Sequence, residues 1–257
     1  MAAAMTLTAL PNLPLVQAGD NLPGMIQDGL RAAGVELQDG DVLVVAQKIV
    51  SKAEGRMVNL AEVQPSDEAD RLGRQIGKDP RLLELVLRES RRVLRAERGV
   101  VIVEHRLGFV CANAGVDHSN VAGVGGETQE WVLLLPENPD ASAQRLRDRL
   151  EAWSGKQLGV LIIDSHGRAW RMGTVGVAIG VSGLPALVDL RGQEDLFGYR
   201  LQVTQVGLAD EIAAGASALM GQAGERRPVI HVRGVPYPLR ESSLAELLRP
   251  AAEDLFR

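Results

Sequence analysis

Two short runs, DVLVVA at residues 41–46 and GVLII at residues 159–163, restrict this chain most. Each is continuously apolar once it begins, short, and bounded by polar residues, so each reads as a strand buried within a sheet. The first runs into Gln47-Lys48 and the second directly into Asp164. Both strands therefore deliver polar side chains where the apolar run gives out.

The remaining segments supply helices and further strands. Lys48 and Lys52 lie four apart and would share one face of a helical segment. Residues 66–77 and 79–99 mix acidic, basic and apolar positions at helical spacing, with Ser66 and Asp79 as N-caps and Pro80 at a first helical position. They predict a helical pair ending at Gly99. Residues 100–104 and 108–112 predict a hairpin with His105-Arg106 near its tip. AGVGGET (122–128) reads as a Gly-rich loop and WVLLLP (131–136) as a strand. Residues 140–154 predict an amphipathic helix capped by Asp140 or Ser142. MGTVGVAIGVSG (172–183) is too rich in glycine and β-branched residues for a regular helix and suggests bends or close backbone approach. DLFGY (195–199) follows a turn. Leu208–Met220 predicts a helix with Asp210 and Glu211 in its first turn. Residues 221–228 predict a polar loop, 229–232 a strand, and 242–256 a last helix. Strands and helices mix without strict alternation, which predicts an α/β (mixed α+β) fold: a mixed sheet with flanking helices.

Composition narrows the function. The 257 residues suit one domain spanning 1–257, with a division into two subdomains as the alternative, and 46% of them are hydrophobic, enough for a sizeable core. Aromatics are only 3%, too few for base-stacking platforms, and a net charge of −5 lacks the basic face that nucleic acid needs. No run approaches the length of a membrane span, and the N-terminus lacks the basic region of a signal peptide. The single cysteine, Cys111, excludes an internal disulfide and fits a reducing, cytoplasmic setting.

Two segments could carry chemistry. GFVCANAGVDHSN passes through Gly115 to Asp117, His118, Ser119 and Asn120, and GVLIIDSHGR gives Asp164, Ser165 and His166. Each places a carboxylate near a strand end with a hydroxyl beside it, donors that suit a hard divalent ion such as Mg²⁺ or Mn²⁺. Zinc fits poorly, since His105, His118, His166 and His231 show no HExxH spacing. For either segment alone a turn or cap is the blander explanation, and loop histidines such as His118 and His166 are more often solvated than catalytic. Lys48, Lys52, Arg168 and Arg171 could hold phosphate or another anion. The chain has no GxxxxGK[ST] and no GxSxG, and Cys111 sits in an apolar pattern that looks structural.

Taken together and in this order, LPLVQAGDNL, DGDVLVVAQKIVSKAEGR, CANAGVDHSNV, GVLIIDSHGRAWRMGTVGVAIGVSG, DLFGYRL and LADEIAAGASALMGQAGE closely resemble the coenzyme F420:L-glutamate ligase family, also called F420-0:γ-glutamyl ligase. The resemblance covers residues 10–236. It implies a single ligase domain without the C-terminal nitroreductase-like domain of some members, and usually a homodimer. It implies GTP-dependent joining of L-glutamate to the carboxylate of the deazaflavin precursor F420-0 through an acyl phosphate, with release of GDP and phosphate. Further γ-linked glutamates are an option of the family. The implied cofactors are two divalent ions, Mg²⁺ or Mn²⁺, with a monovalent cation such as K⁺ as a further candidate. Matched residue by residue, Asp117 and Asp164 are the expected metal-binding and catalytic aspartates. Ser165, where Thr is common, and Gln222, where some members have Glu, are expected beside the metals. Leu13, Pro14, Leu15, Val16, Gln47, Lys48, Lys52, Asn120 and Gly221 match nucleotide-binding positions, and the loop 221–227 lies near the nucleotide. Gln47-Lys48 departs from small hydroxyl residues found in some relatives.

Two other classes compete. A metal-dependent phosphohydrolase could use the same aspartate pair without glutamate, and a non-catalytic nucleotide or deazaflavin binder would need no turnover.

Overall fold

The computed structural model describes residues 3–121 and 130–254. In chain order, β1 is Thr6–Ala9, α1 Leu22–Ala32, β2 Val42–Ala46, α2 Gln47–Ala53, β3 Met57–Asn59, α3 Asp67–Ile76 and α4 Pro80–Arg88. There follow β4 Ser90–Glu97, β5 Val100–His105, β6 Val110–Ala112, β7 Trp131–Leu133, α5 Pro139–Ser154, β8 Gly159–Arg168 and β9 Arg171–Ser182. The two-residue strands β10 Val188–Asp189 and β11 Gln205–Val206, then α6 Leu208–Met220 and β12 Val229–Arg233, complete the set.

The central sheet has five strands in the order β1-β12-β2-β8-β9. Only β2 and β8, the two apolar runs, pair in parallel; the other neighbours are antiparallel. The sheet is therefore mixed, and it is covered on both faces. Leu43, Val45, Val160 and Ile162 pack towards α1 and α5 with Ile26, Leu30, Leu146 and Leu150. Val42, Val44, Leu161 and Ile163 pack on the other side against Leu208, Ile212, Ala213 and Ala216 of α6. A strand's two-residue period thus sends alternate apolar side chains into two cores, which is why the runs show no polar alternation. A second region pairs the β4-β5-β6 sheet with α3 and α4 around Leu83, Val86, Val101 and Val103. Among the described residues no helix is long and apolar enough to cross a membrane.

Several expectations hold locally. Ser66 caps α3 by accepting from Ala69 N, Gly77 ends it in the left-handed region, and Asp79 caps α4 ahead of Pro80. Residues 172–182 are strand, and Gly176, Gly180 and Gly183, though not Gly173, mark close approach. A Cβ on Gly176 would lie 2.4 Å from Ser217 Cβ, and one on Gly180 would lie 2.6 Å from the Pro139 backbone.

Four expectations are corrected. The helix expected to run to Gly99 stops at Arg88, and Ser90–Glu97 is strand. Two bulges break its alternation, so its partly buried positions are Ser90, Val93 and Ala96, three apart as on a helix. The cap of α5 is Asn138, which accepts from Ala141 N, while Asp140 turns its carboxylate to Val181 N and Leu244 N. Among the described residues the tail expected as a helix forms only the short turns Leu244–Glu246 and Ala251–Glu253, since Pro250 lacks a donor and disfavours helix in the residue before it. The strand expected to end at Ile163 continues as β8 to Arg168. Five elements go beyond the sequence expectations: β1, α1, β3, β10 and β11. The AGVGGET loop lies outside the described residues.

His105, near the turn of the β5-β6 hairpin, is fully buried. Its Nδ1 accepts from Leu107 N at 3.0 Å, and its Nε2 faces Glu89 Oε2 at 3.7 Å. Glu89 is already held by Arg56 and Arg106. Burial pushes the imidazole down to about 4.

Two predictions follow from packing and burial. Gly176→Ala or Gly180→Ala should cost about 1–3 kcal/mol by overpacking, read as a lower urea midpoint with unchanged slope. Between pH about 4 and about 6.5 the unfolded chain binds a proton at His105 that the folded chain refuses, so this residue makes stability rise with pH there and level off above. His105→Gln should remove that contribution, at most about 1.4 kcal/mol per pH unit; an unchanged pH profile of unfolding would contradict it.

Candidate active site

The sheet register assembles the site. In the parallel pair, Ala46 at the end of β2 sits beside Ile163 of β8. Gln47-Lys48 and Asp164 therefore emerge side by side where the parallel pairing ends, on the carboxyl side where α/β sheets place ligands. β12 runs antiparallel to β2, so its first residue, Val229, pairs with Val45 at the same edge. The loop 221–228 that feeds β12 arrives there too. The end of β1 pairs with Ile230, and Leu10 N donates to Val229 O, which brings residues 13–16 to the same edge.

Together these segments line a cavity of about 980 Å³. Leu13, Pro14, Leu15, Val16, Gln47, Lys48, Lys52, Asp117, Asn120, Asp164, Ser165, Gly221 and Gln222 all contribute to its wall. Every site residue singled out from the sequence resemblance is thus gathered in one place. His118, Ser119, Ser217, Glu225, Arg226 and Arg227 also line it. Arg168 and Arg171 do not; they face each other at the tip of the β8-β9 hairpin, where Arg168 donates to Met172 O. Cys111 is buried, with burial first and Asp164 second pushing its thiol up to about 12, so it is structural.

The loop carrying Asp117 is anchored from both ends. Asp117 exchanges backbone hydrogen bonds with Leu133. Gly115 makes the preceding turn at a positive φ of 66°. The Asp117 carboxylate accepts from Ser119 N at 2.6 Å through Oδ1 and pairs with Lys48 Nζ at 2.7 Å through Oδ2. Lys48 also donates to Ser119 O and Oγ, and Lys52, one turn on along α2, donates to Asn120 O at 2.7 Å. The shared helical face of the two lysines therefore grips residues 117–120. Asn120 in turn donates to Ala223 O, tying this loop to the 221–228 loop.

Charge is tightly balanced. Burial opposes ionisation of Asp117, but the Lys48 and Ser119 hydrogen bonds outweigh it and hold the carboxyl below its ordinary value. Burial, then the neighbouring Lys48 charge, lowers the Lys52 ammonium. Asp164 Oδ2 bonds His166 Nε2 at 3.0 Å. Gln222 donates to Ser217 Oγ, and Glu225 accepts from Ala223 N. Gln47 is buried and accepts from Ser51 Oγ.

Asp117, Asp164, Ser165 and Gln222, the residues that could hold a divalent ion, all line the cavity and carry oxygen donors. Among the described residues no three His, Cys, Asp or Glu side chains cluster into a ready metal cage. A hard ion bound here would be shared by one or two of these carboxylates with water and substrate phosphates. Sequence reasoning treated His166 as solvated, yet its side chain is mostly buried in a strand beside Asp164. The two-residue period from Asp164 was the signal that could have found it.

Comparison with known proteins identifies the family. A family model described as F420-0:Gamma-glutamyl ligase matches residues 12–234. The chain is 44% identical over 255 residues to the coenzyme F420:L-glutamate ligase of Methanothermobacter thermautotrophicus, covering 98% of this chain and 99% of the relative. It is 40% identical over 247 residues to that of Methanocaldococcus jannaschii, covering 95% and 94%. It is 43% identical over 246 residues to that of Archaeoglobus fulgidus, covering 95% and 93%. With a family model spanning most of its length and relatives aligned almost end to end, the chain belongs to the F420-0:gamma-glutamyl ligase family.

Proposed function

We propose that this protein joins L-glutamate to the carboxylate of F420-0, using GTP and releasing GDP and phosphate. The observation that carries the reading is the gathering of Asp117, Asp164, Lys48, Lys52, Asn120 and the 221–227 loop around one cavity. Its volume of about 980 Å³ stands at the upper end for ligand pockets, consistent with a nucleotide and a second substrate together.

The acceptor carboxylate is a poor electrophile. Transfer of the γ-phosphoryl group from GTP to one of its oxygens makes an acyl phosphate and releases GDP. The glutamate amine then attacks the acyl carbon, loses a proton, and phosphate leaves with the C–O bond's electron pair. Phosphoryl transfer depends on positioning and charge neutralisation more than on covalent help. A divalent ion held by Asp117, Asp164, Ser165 and Gln222 would screen the repulsion between carboxylate and triphosphate. Lys48 and Lys52 set two ammonium groups in the cavity wall, where phosphate oxygens can replace their present partners. Asn120, Gly221 and residues 13–16 shape the nucleotide side. K⁺ is a further candidate for a monovalent site.

Family membership favours the ligase over a phosphohydrolase or a binding protein. Purified protein with F420-0, GTP, Mn²⁺ and L-glutamate should yield a product heavier by one glutamyl residue, with GDP. Phosphate release without any need for glutamate would favour the hydrolase, and binding without turnover the binder. Asp117→Asn and Asp164→Asn should each lower ligation about 100-fold or more while leaving the unfolding midpoint near that of wild type. Near-normal rates would remove that residue from the site.

The protein is further read as a cytoplasmic homodimer. Met172, Leu196, Phe197 and Val203 are each more than four-fifths exposed on the β8-β9 arm and the 190–204 segment, and such apolar surface commonly marks an interface. Phe197→Asp should shift the mass measured by light scattering from dimer to monomer; an unchanged mass would reject this surface.

A further inference from the structure

Asp164 and His166 occupy alternate positions of β8, so both side chains leave the same face of the strand. They meet there: Asp164 Oδ2 lies 3.0 Å from His166 Nε2, and both side chains are only 13% exposed. An ionised carboxylate can only accept, so Nε2 carries the proton and donates it. The ring itself is fixed from the far side. Phe109 lies against it at 5.4 Å with a 51° tilt, and Phe109 stacks at 5.1 Å on the buried His105. Three rings in series thus run from the buried His105 to His166, whose partner Asp164 lines the cavity. Asp210, another carboxyl close enough to feel this imidazole, is committed to Ala178 N at 2.9 Å.

We propose that His166 is a positioning residue for the cation site: by holding Oδ2 of Asp164, it fixes the carboxylate so that Oδ1 is presented to a divalent ion. The inference rests on the reading of Asp164 as a cation ligand. Hydrogen bonds to ligating carboxylates set their orientation, and removing such a partner typically weakens metal binding about 10–100-fold. A freely rotating Asp164 would have to be ordered by the ion each time it binds.

The test uses the full chain and Mn²⁺ alone, with free Mn²⁺ followed by its paramagnetic resonance signal. His166→Phe keeps a ring against Phe109 and removes the donor; it should weaken Mn²⁺ binding about 10–100-fold. His166→Gln can place its amide nitrogen where the imidazole Nε2 lies, and should recover most of the affinity. His166→Asn, whose shorter amide stops at the Nδ1 position, should resemble the Phe variant and replaces it if that variant does not fold. Asp164→Asn should bind Mn²⁺ at least as weakly, with no further loss when His166→Phe is added. Wild-type affinity in His166→Phe, or equal weakness in the Gln and Phe variants, overturns the inference while leaving Asp164 as a ligand. Wild-type affinity in Asp164→Asn removes the ligand reading and this inference with it.

Discussion

The parallel pairing of β2 with β8 is the constraint on which the rest depends. It sets Ala46 beside Ile163, so the first turn of α2 and the Asp164 carboxylate share one edge of the sheet. The antiparallel neighbours β12 and β1 then bring the 221–228 loop and residues 13–16 to the same edge. Buried aliphatic side chains on both faces hold that register, because a slip by one residue would exchange the residues of the two cores. The site is thus positioned by hydrophobic packing that takes no part in chemistry.

The second layer of organisation is electrostatic. A half-buried carboxylate such as Asp117 is disfavoured without a partner, and Lys48 supplies one. The same lysine and its neighbour Lys52 hold the backbone carbonyls of Ser119 and Asn120. One helical face therefore neutralises a charge and orders a loop. His118, exposed beside this pair, has no comparable grip, whereas Ser119 is engaged through its backbone and its hydroxyl.

Much of this was legible in the sequence, and the reasons for the rest are physical. DVLVVA and GVLII could be read as buried strands because burial on both faces leaves no polar interruption. The caps Ser66 and Asp79 were readable because one side chain satisfies a local backbone donor. β4 was not, because two bulges gave it a period of three. The outer half of β8, DSHGR, looked like a turn: it extends beyond the core as a hairpin arm and carries no apolar face to betray a strand. Long motifs shared with the ligase family picked out the cavity residues, but the partnership of Asp164 with His166 needed the strand to be seen.

The direct passage from β2 into α2, Ala46 to Gln47 with no intervening loop, bears on how such a chain can vary in length. An α-helix turns by about 100° per residue. A single residue inserted at this junction would swing both lysines away from the 117–120 loop, although every apolar residue of β2 stayed in place. The 190–204 segment, which carries much of its surface to solvent, has no such rotation to propagate. Tolerance to insertion should therefore differ sharply between the two segments, near zero where α2 begins and generous across 190–204.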